Sequence, residues 1–158
     1  MALEDLARLL SERFIHRADT YLKQGTEGRY VRIEEFITAE TIQRHLKGKE
    51  TVAVYQIKPG ANTVKWICFD LDPEKLENPI ETVRKLWGLC KNSFGEKTLL
   101  LEASRYPDPS FHLWVFFSVP IPALAARFLG KRILGKIEEG ANIELFPKQD
   151  YIGPGRIR

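Results

Sequence analysis

Sulfur is scarce in this chain, with two cysteines and one methionine among 158 residues. Cys68 and Cys90 have no paired spacing and no neighbouring His or Cys. That excludes a zinc-ligand pattern and a disulfide-stapled scaffold. Both lie in apolar or helical stretches and read as buried free thiols in a reducing cytosol. Clean apolar runs are missing too. The most apolar stretch, Leu113 to Leu129, is broken by Pro120 and Pro122 and carries Arg127, whereas a membrane span needs about 20 uninterrupted residues. The N-terminal Met-Ala-Leu-Glu-Asp lacks a basic region and an apolar core, so no signal peptide and a cytoplasmic location are expected, with no membrane partner. There is no Walker A lysine loop, no Rossmann glycine fingerprint and no His-Glu-x-x-His.

What is present is an ordinary globular composition, 44% hydrophobic and 28% charged, enough to bury a core without staples. Lys and Arg total 24 against 21 Asp and Glu, a net +3 that permits nucleic-acid binding without demanding it. Residues 3–15 carry apolar positions at helical spacing. Segment 16–37 is mixed, with Gly25 and Gly28 marking a turn, and Thr38 reads as the N-cap of a short helix stopped by Gly48. Thr51–Ile57 reads as a strand.

From there the pattern is more regular. It predicts a strand over Val64–Asp72, a helix over Pro79–Ser93, strands over Lys97–Glu102 and Phe111–Phe117, a helix over Pro122–Ile137 and a last strand over Asn142–Phe146. The first of these helices is expected to bury Ile80, Val83, Leu86, Trp87 and Cys90; the second, a stripe through Leu124, Ala125, Phe128, Leu129 and Leu134. The order β-α-β-β-α-β is that of an α+β, RRM-like or ferredoxin-like core. A small N-terminal α/β module over residues 1–62 is expected to precede a core over 63–158.

Three features could carry chemistry. Asp70 and Asp72 are two residues apart on a predicted strand, so both should share a face with Trp66 and Cys68. Two like charges so placed repel unless a cation intervenes, and a hard divalent ion suits them. Ser110 and His112 likewise share a face and offer phosphate-binding groups. Glu144 is an acid inside a short apolar strand. In a β-α-β-β-α-β sheet the first and third strands are central and the fourth pairs with the first, so Asp70, Asp72, His112 and Glu144 can gather on one surface. Taken singly, each has a bland reading: a strand end, ordinary strand polarity, a solvated edge acid.

The strings CFDLD, SFHLWVFF and IELFPKQD, in that order and spacing, resemble the three motifs of the archaeo-eukaryotic primase superfamily. The likeness is nearest to the primase-polymerase domains of bacterial conflict systems and CRISPR-associated loci. The upstream TAETIQRHLKGKETVAVYQI is similar to the segment before the first motif, so the resemblance runs from about residue 12 onward. It implies a DNA primase-polymerase catalytic core, a nucleotidyltransferase using Mg²⁺ or Mn²⁺. It assigns Asp70, Asp72 and Glu144 to catalysis and metal, and Ser110 and His112 to the nucleotide phosphates. Ser104, Arg105 and Lys148 join the nucleotide-binding set. The partners implied are nucleoside triphosphates and a DNA template-primer, or an RNA primer, with a helicase, nuclease or further primase domain encoded alongside. Prolines replace glycines before His112, the third acid is Glu rather than the commoner Asp, and relatives continue past FPKQD, so the core is expected to be incomplete at its C-terminus.

Two other readings stay open at this level: a non-catalytic RRM-like nucleic-acid-binding module, and a degenerate primase domain that binds nucleotides without turnover. An RNA-reading sheet carries stacking aromatics on its central strands, whereas here acids take part of that face. Among the late basic residues, Lys148, Arg156 and Arg158 are expected to meet the nucleic-acid strand, while Arg127, Lys131, Arg132 and Lys136 read as a solvated helix face.

Overall fold

The structure is a computed structural model, described here for residues 2–104 and 109–153. The chain divides into two compact units, Met1–Gly60 and Ala61–Arg158.

The first unit runs α1 (Leu3–Phe14), β1 (Tyr21–Gln24), β2 (Tyr30–Ile33), α2 (Ala39–Leu46) and β3 (Val52–Val54). Its strands form an antiparallel sheet in the order β2-β1-β3. Helix α2 begins where the Thr38 side chain accepts from the Thr41 amide at 3.2 Å. It ends in a two-bond cap, Gly48 N–H to the His45 carbonyl and Lys49 N–H to the Arg44 carbonyl, which needs the positive φ of Gly48. Strands β1 and β2 fall inside the stretch read as mixed, because a few half-exposed residues give too short an alternation to recognise.

The second unit contains β4 (Thr63–Leu71), α3 (Pro79–Phe94), β5 (Leu99–Ala103), β6 (Phe111–Pro122), α4 (Ala123–Leu134) and β7 (Glu144–Phe146). All pairings are antiparallel and the order is β5-β6-β4-β7, the arrangement expected of an RRM-like or ferredoxin-like sheet. Helix α3 starts on an Asn78 cap that accepts from the Glu81 amide, with Pro79 at its first position. Ile67, Phe69 and Leu71 of β4 and Leu113 and Val115 of β6 are fully buried, as are Leu86 and Cys90 of α3 and Ala123 and Ala126 of α4. Both cysteines are free and buried, and burial pushes the Cys90 thiol up to about 12.

Several bounds are corrected: the strand expected over Thr51–Ile57 is only Val52–Val54, Lys97 and Thr98 lie in a 3-10 turn before β5, and β7 begins at Glu144 rather than Asn142. Three further differences bear on length and packing. First, β6 continues to Pro122, five residues past Phe117, pairing with β4 as far as Thr63. Second, Ile80 of α3 is exposed, and Thr82 is buried in the helix face instead. Third, α4 turns the other way. Leu124 and Phe128 are 62% and 59% exposed, and the buried stripe is Ala123, Ala126, Gly130 and Ile133. The cause is close approach. A Cβ on Gly130 would stand 2.6 Å from Leu145 Cδ1, so only the small-residue side of α4 can lie this near β7. The Phe128 ring is instead covered by the Arg132 guanidinium at 5.8 Å.

Candidate functional site

Strand register builds the site. Glu144, Asp70, His112 and Glu102 are directly opposed in sequence across β7, β4, β6 and β5, forming one row over all four strands. The neighbouring row is Phe146, Cys68, Trp114 and Leu100. Side chains alternate along a strand, and Phe69 and Leu145 belong to the helix side, so both rows face away from α3 and α4. Directly opposed side chains start about 5 Å apart at Cβ. Backbone pairing alone therefore holds each member of this row of three carboxylates and an imidazole within reach of the next.

Strand β4 ends at Leu71, one residue short of expectation. Asp72 remains extended, but its carboxylate caps the 3-10 turn Pro73–Lys75, accepting from the Glu74 amide at 3.3 Å. The turn sends Lys75 back toward the sheet. Asp70, Asp72, Lys75, Ser110, His112 and Glu144 line a single cavity of about 360 Å³. Five residues singled out from sequence thus meet in one place.

Two further described candidates, Ser104 and Lys148, are not among the lining residues. The Ser104 amide donates to the Ser110 carbonyl at 2.9 Å, closing the base of the β5–β6 connection. Lys148 stands over the Phe146 ring at 4.8 Å and binds Glu144 Oε2 at 2.6 Å. Arg105, Arg156 and Arg158 lie outside the described residues.

Two lining or supporting side chains were not anticipated. Glu102 Oε2 accepts from His112 Nδ1 at 3.1 Å and from Trp114 Nε1 at 3.2 Å. That fixes the imidazole ring and leaves Nε2 on the Asp70 side, 3.5 Å from Oδ1. The signal was register: Glu102 occupies the row only because β5 pairs with β6 as it does. Lys75 is the second. Its Nζ lies 2.9 Å from Glu144 Oε1 and 3.7 Å from Asp72 Oδ2.

These contacts set the charge balance. The Lys148 and Lys75 ammonium groups, both hydrogen-bonded to Glu144, pull its carboxyl down to about 2. Lys75 is raised in return, first by Glu144 and then by the nearby Asp72 and Asp70. On the same face, burial pushes the Cys68 thiol upward and Asp70 and Glu102 push it further, so it is an inert thiol rather than a nucleophile.

The donor set suits a hard divalent cation. It offers carboxylate oxygens with room beside them, and Mg²⁺ needs only one or two carboxylates, completing its shell with water and phosphate oxygens. Among the described residues no three acid, His or Cys side chains converge into a finished metal cage. Both Glu144 oxygens are engaged by lysines instead.

A protein-family profile described as the archaeo-eukaryotic primase domain of the TOTE conflict system matches residues 8–157. No curated protein matches the chain. Among the described residues no helix is long and apolar enough to cross a membrane.

Proposed function

The chain belongs to the archaeo-eukaryotic primase domain family of TOTE conflict systems, and from that premise we propose that it is a metal-dependent nucleotidyltransferase, a primase-polymerase core that extends a 3′-hydroxyl on a DNA template. The observation that carries this reading is the single cavity shared by Asp70, Asp72, Glu144, Ser110 and His112. Asp70, Asp72 and Glu144 would hold the divalent cation, Mg²⁺ or Mn²⁺. A cation there would lower the pKa of the attacking hydroxyl and offset charge on the leaving pyrophosphate.

The protein's own groups supply position. The β4–β6 pairing sets Asp70 against His112, and Glu102 orients the imidazole so that Nε2 faces the cavity. Ser110, at the mouth of β6, adds a hydroxyl on the same side for a phosphate oxygen. Fixed donors and charges of this kind act by orienting the triphosphate and stabilising charge that develops in transfer. The partners on this reading are nucleoside triphosphates and a template-primer.

The rival reading, an RRM-like RNA binder, asks for aromatic rings free to stack on the central strands. Here Trp66 is buried and packs edge-on against Trp114 at 4.8 Å, and Trp114 also donates to Glu102. The test is primer extension by the 158-residue chain with Mn²⁺. Template-directed addition is expected, and it should vanish in Asp70→Asn and Asp72→Asn. Extension at the wild-type rate by either variant would overturn the assignment.

A further inference from the structure

We propose that Lys75 is a resident counter-cation of the carboxylate cavity, displaced when a divalent cation enters and then available to hold the triphosphate that accompanies it. The inference rests on the metal-nucleotide reading above and extends it to a residue outside the three motifs.

The geometry is a long flexible arm on a fixed base. Lys75 closes the Pro73–Lys75 turn, and its amide donates to the Asp72 carbonyl at 3.0 Å. Its backbone is therefore tied to one of the acids it serves. Its side chain is 46% exposed, so the ammonium can move without unpacking anything. At its far end Nζ lies between Glu144 and Asp72, the place where a shared cation would sit. A cavity lined by three carboxylates is self-repelling when empty, and one ammonium group relieves that repulsion.

The same contact opposes metal binding. Glu144 has two oxygens; Lys75 engages one and Lys148 the other. Each oxygen keeps a second lone pair, but a dication drawn to Glu144 is repelled by both ammonium groups, so its entry favours release of one. Lys75 is the one that also reaches Asp72, so an ion bridging those two acids must replace it. The freed ammonium then stands at the edge of a cavity receiving a polyanion, where its charge is again useful. Lysine fits this exchange better than arginine, being a compact charge on a mobile stem rather than a rigid fork.

Neutralising Lys75 should therefore move two affinities in opposite directions. Mn²⁺ alone should bind Lys75→Gln about two- to fivefold tighter than wild type, the effect of losing one partly exposed ion pair. A non-hydrolysable nucleoside triphosphate with saturating Mn²⁺ should bind it more weakly by a similar factor, about two- to fivefold. Lys75→Arg should keep triphosphate affinity near wild type. Calorimetric titration of the full chain with Mn²⁺, and then with the analogue, reads both. Circular dichroism confirms that each variant is folded. If Lys75→Gln binds Mn²⁺ no tighter, or triphosphate no weaker, the inference is wrong while the metal reading stands. If wild type binds no Mn²⁺ that Asp70→Asn abolishes, the metal reading itself fails and the inference with it.

Discussion

Two glutamates in this protein are each gripped by two cations, and they do different work. Glu50, in the first unit, binds Lys23 at 2.6 Å and Arg44 at 3.3 Å, with its side chain only 6% exposed. Glu144, in the second, binds Lys148 at 2.6 Å and Lys75 at 2.9 Å, and is 37% exposed. Both carboxyls are pulled down by their hydrogen-bonded partners, Glu50 by Lys23 ahead of Arg44. The difference lies in the surroundings. Glu50 ties β1 to α2, and its backbone carbonyl accepts from His45 Nδ1 of α2 at 3.1 Å. Glu144 opens onto a cavity with two more acids. An ion pair that is buried among its own partners is a fastening. One that is half in water beside like charges can be taken apart by a ligand.

The largest effect is expected from removing charge at the cavity. Asp70→Ala should reduce nucleotide addition by about a hundred- to a thousandfold or abolish it, the scale on which one positioned electrostatic group acts in transfer reactions. Its metal-free melting temperature should hold or rise, since a member of a repelling cluster is gone. A large fall in melting temperature would make Asp70 a structural residue and erase the distinction.

Next in size, Glu50→Gln should lose about 1–3 kcal/mol in urea unfolding, because charged hydrogen bonds at a buried oxygen are lost. Glu144→Gln should change unfolding by less than about 1 kcal/mol, as expected for exposed pairs, while losing Mn²⁺ affinity. Equal stability losses in the two variants would show that exposure does not separate them.

A smaller effect is expected at Glu102. Glu102→Ala releases His112 and Trp114 together. Triphosphate affinity should fall about three- to tenfold, the worth of one oriented hydrogen bond, with Mn²⁺ affinity nearly unchanged. Glu102→Gln, whose amide oxygen can still accept from Nδ1, should lose less. If Mn²⁺ affinity falls as much as triphosphate affinity, Glu102 serves the metal acids rather than the imidazole.

The smallest effect is on pH dependence. Both glutamates have native values below the ordinary 4.5. In each case the unfolded chain takes up protons first as pH falls, so the stabilising contribution is present above about 4.5 and declines below it. For Glu144 the decline is complete only near pH 2. Urea midpoints measured from pH 6 to pH 3 should therefore drop less steeply in Glu50→Gln than in wild type. An unchanged slope would mean that the Glu50 pair persists in the unfolded chain.

Much of this was legible in the chain before folding. The β-branched and aromatic runs announce β4 and β6, and the Asp-x-Asp, Ser-x-His and Glu144 motifs name the acids and the imidazole in the cavity. The α4 stripe misled because Leu124 and Phe128 are the more apolar residues, yet helix-to-sheet distance is set by the smallest side chains, and Gly130 against Leu145 chose the other face. Asp72 lies one residue beyond β4, still extended but capping the turn that Pro73 opens, which is the ordinary latitude of a strand end.

Local pattern thus sets the element order, the alternation that separates Asp70 from the core, and the kinds of atom offered to a ligand. That Glu102 stands opposite His112 and that Lys75 lies between Asp72 and Glu144 comes from long-range pairing. The reason is range. Periodicity records which side of its own strand or helix a residue takes. Contacts between residues 10 and 69 apart, as in His112–Glu102 and Lys75–Glu144, exist only once strands are in register and a turn has brought the lysine back over the sheet.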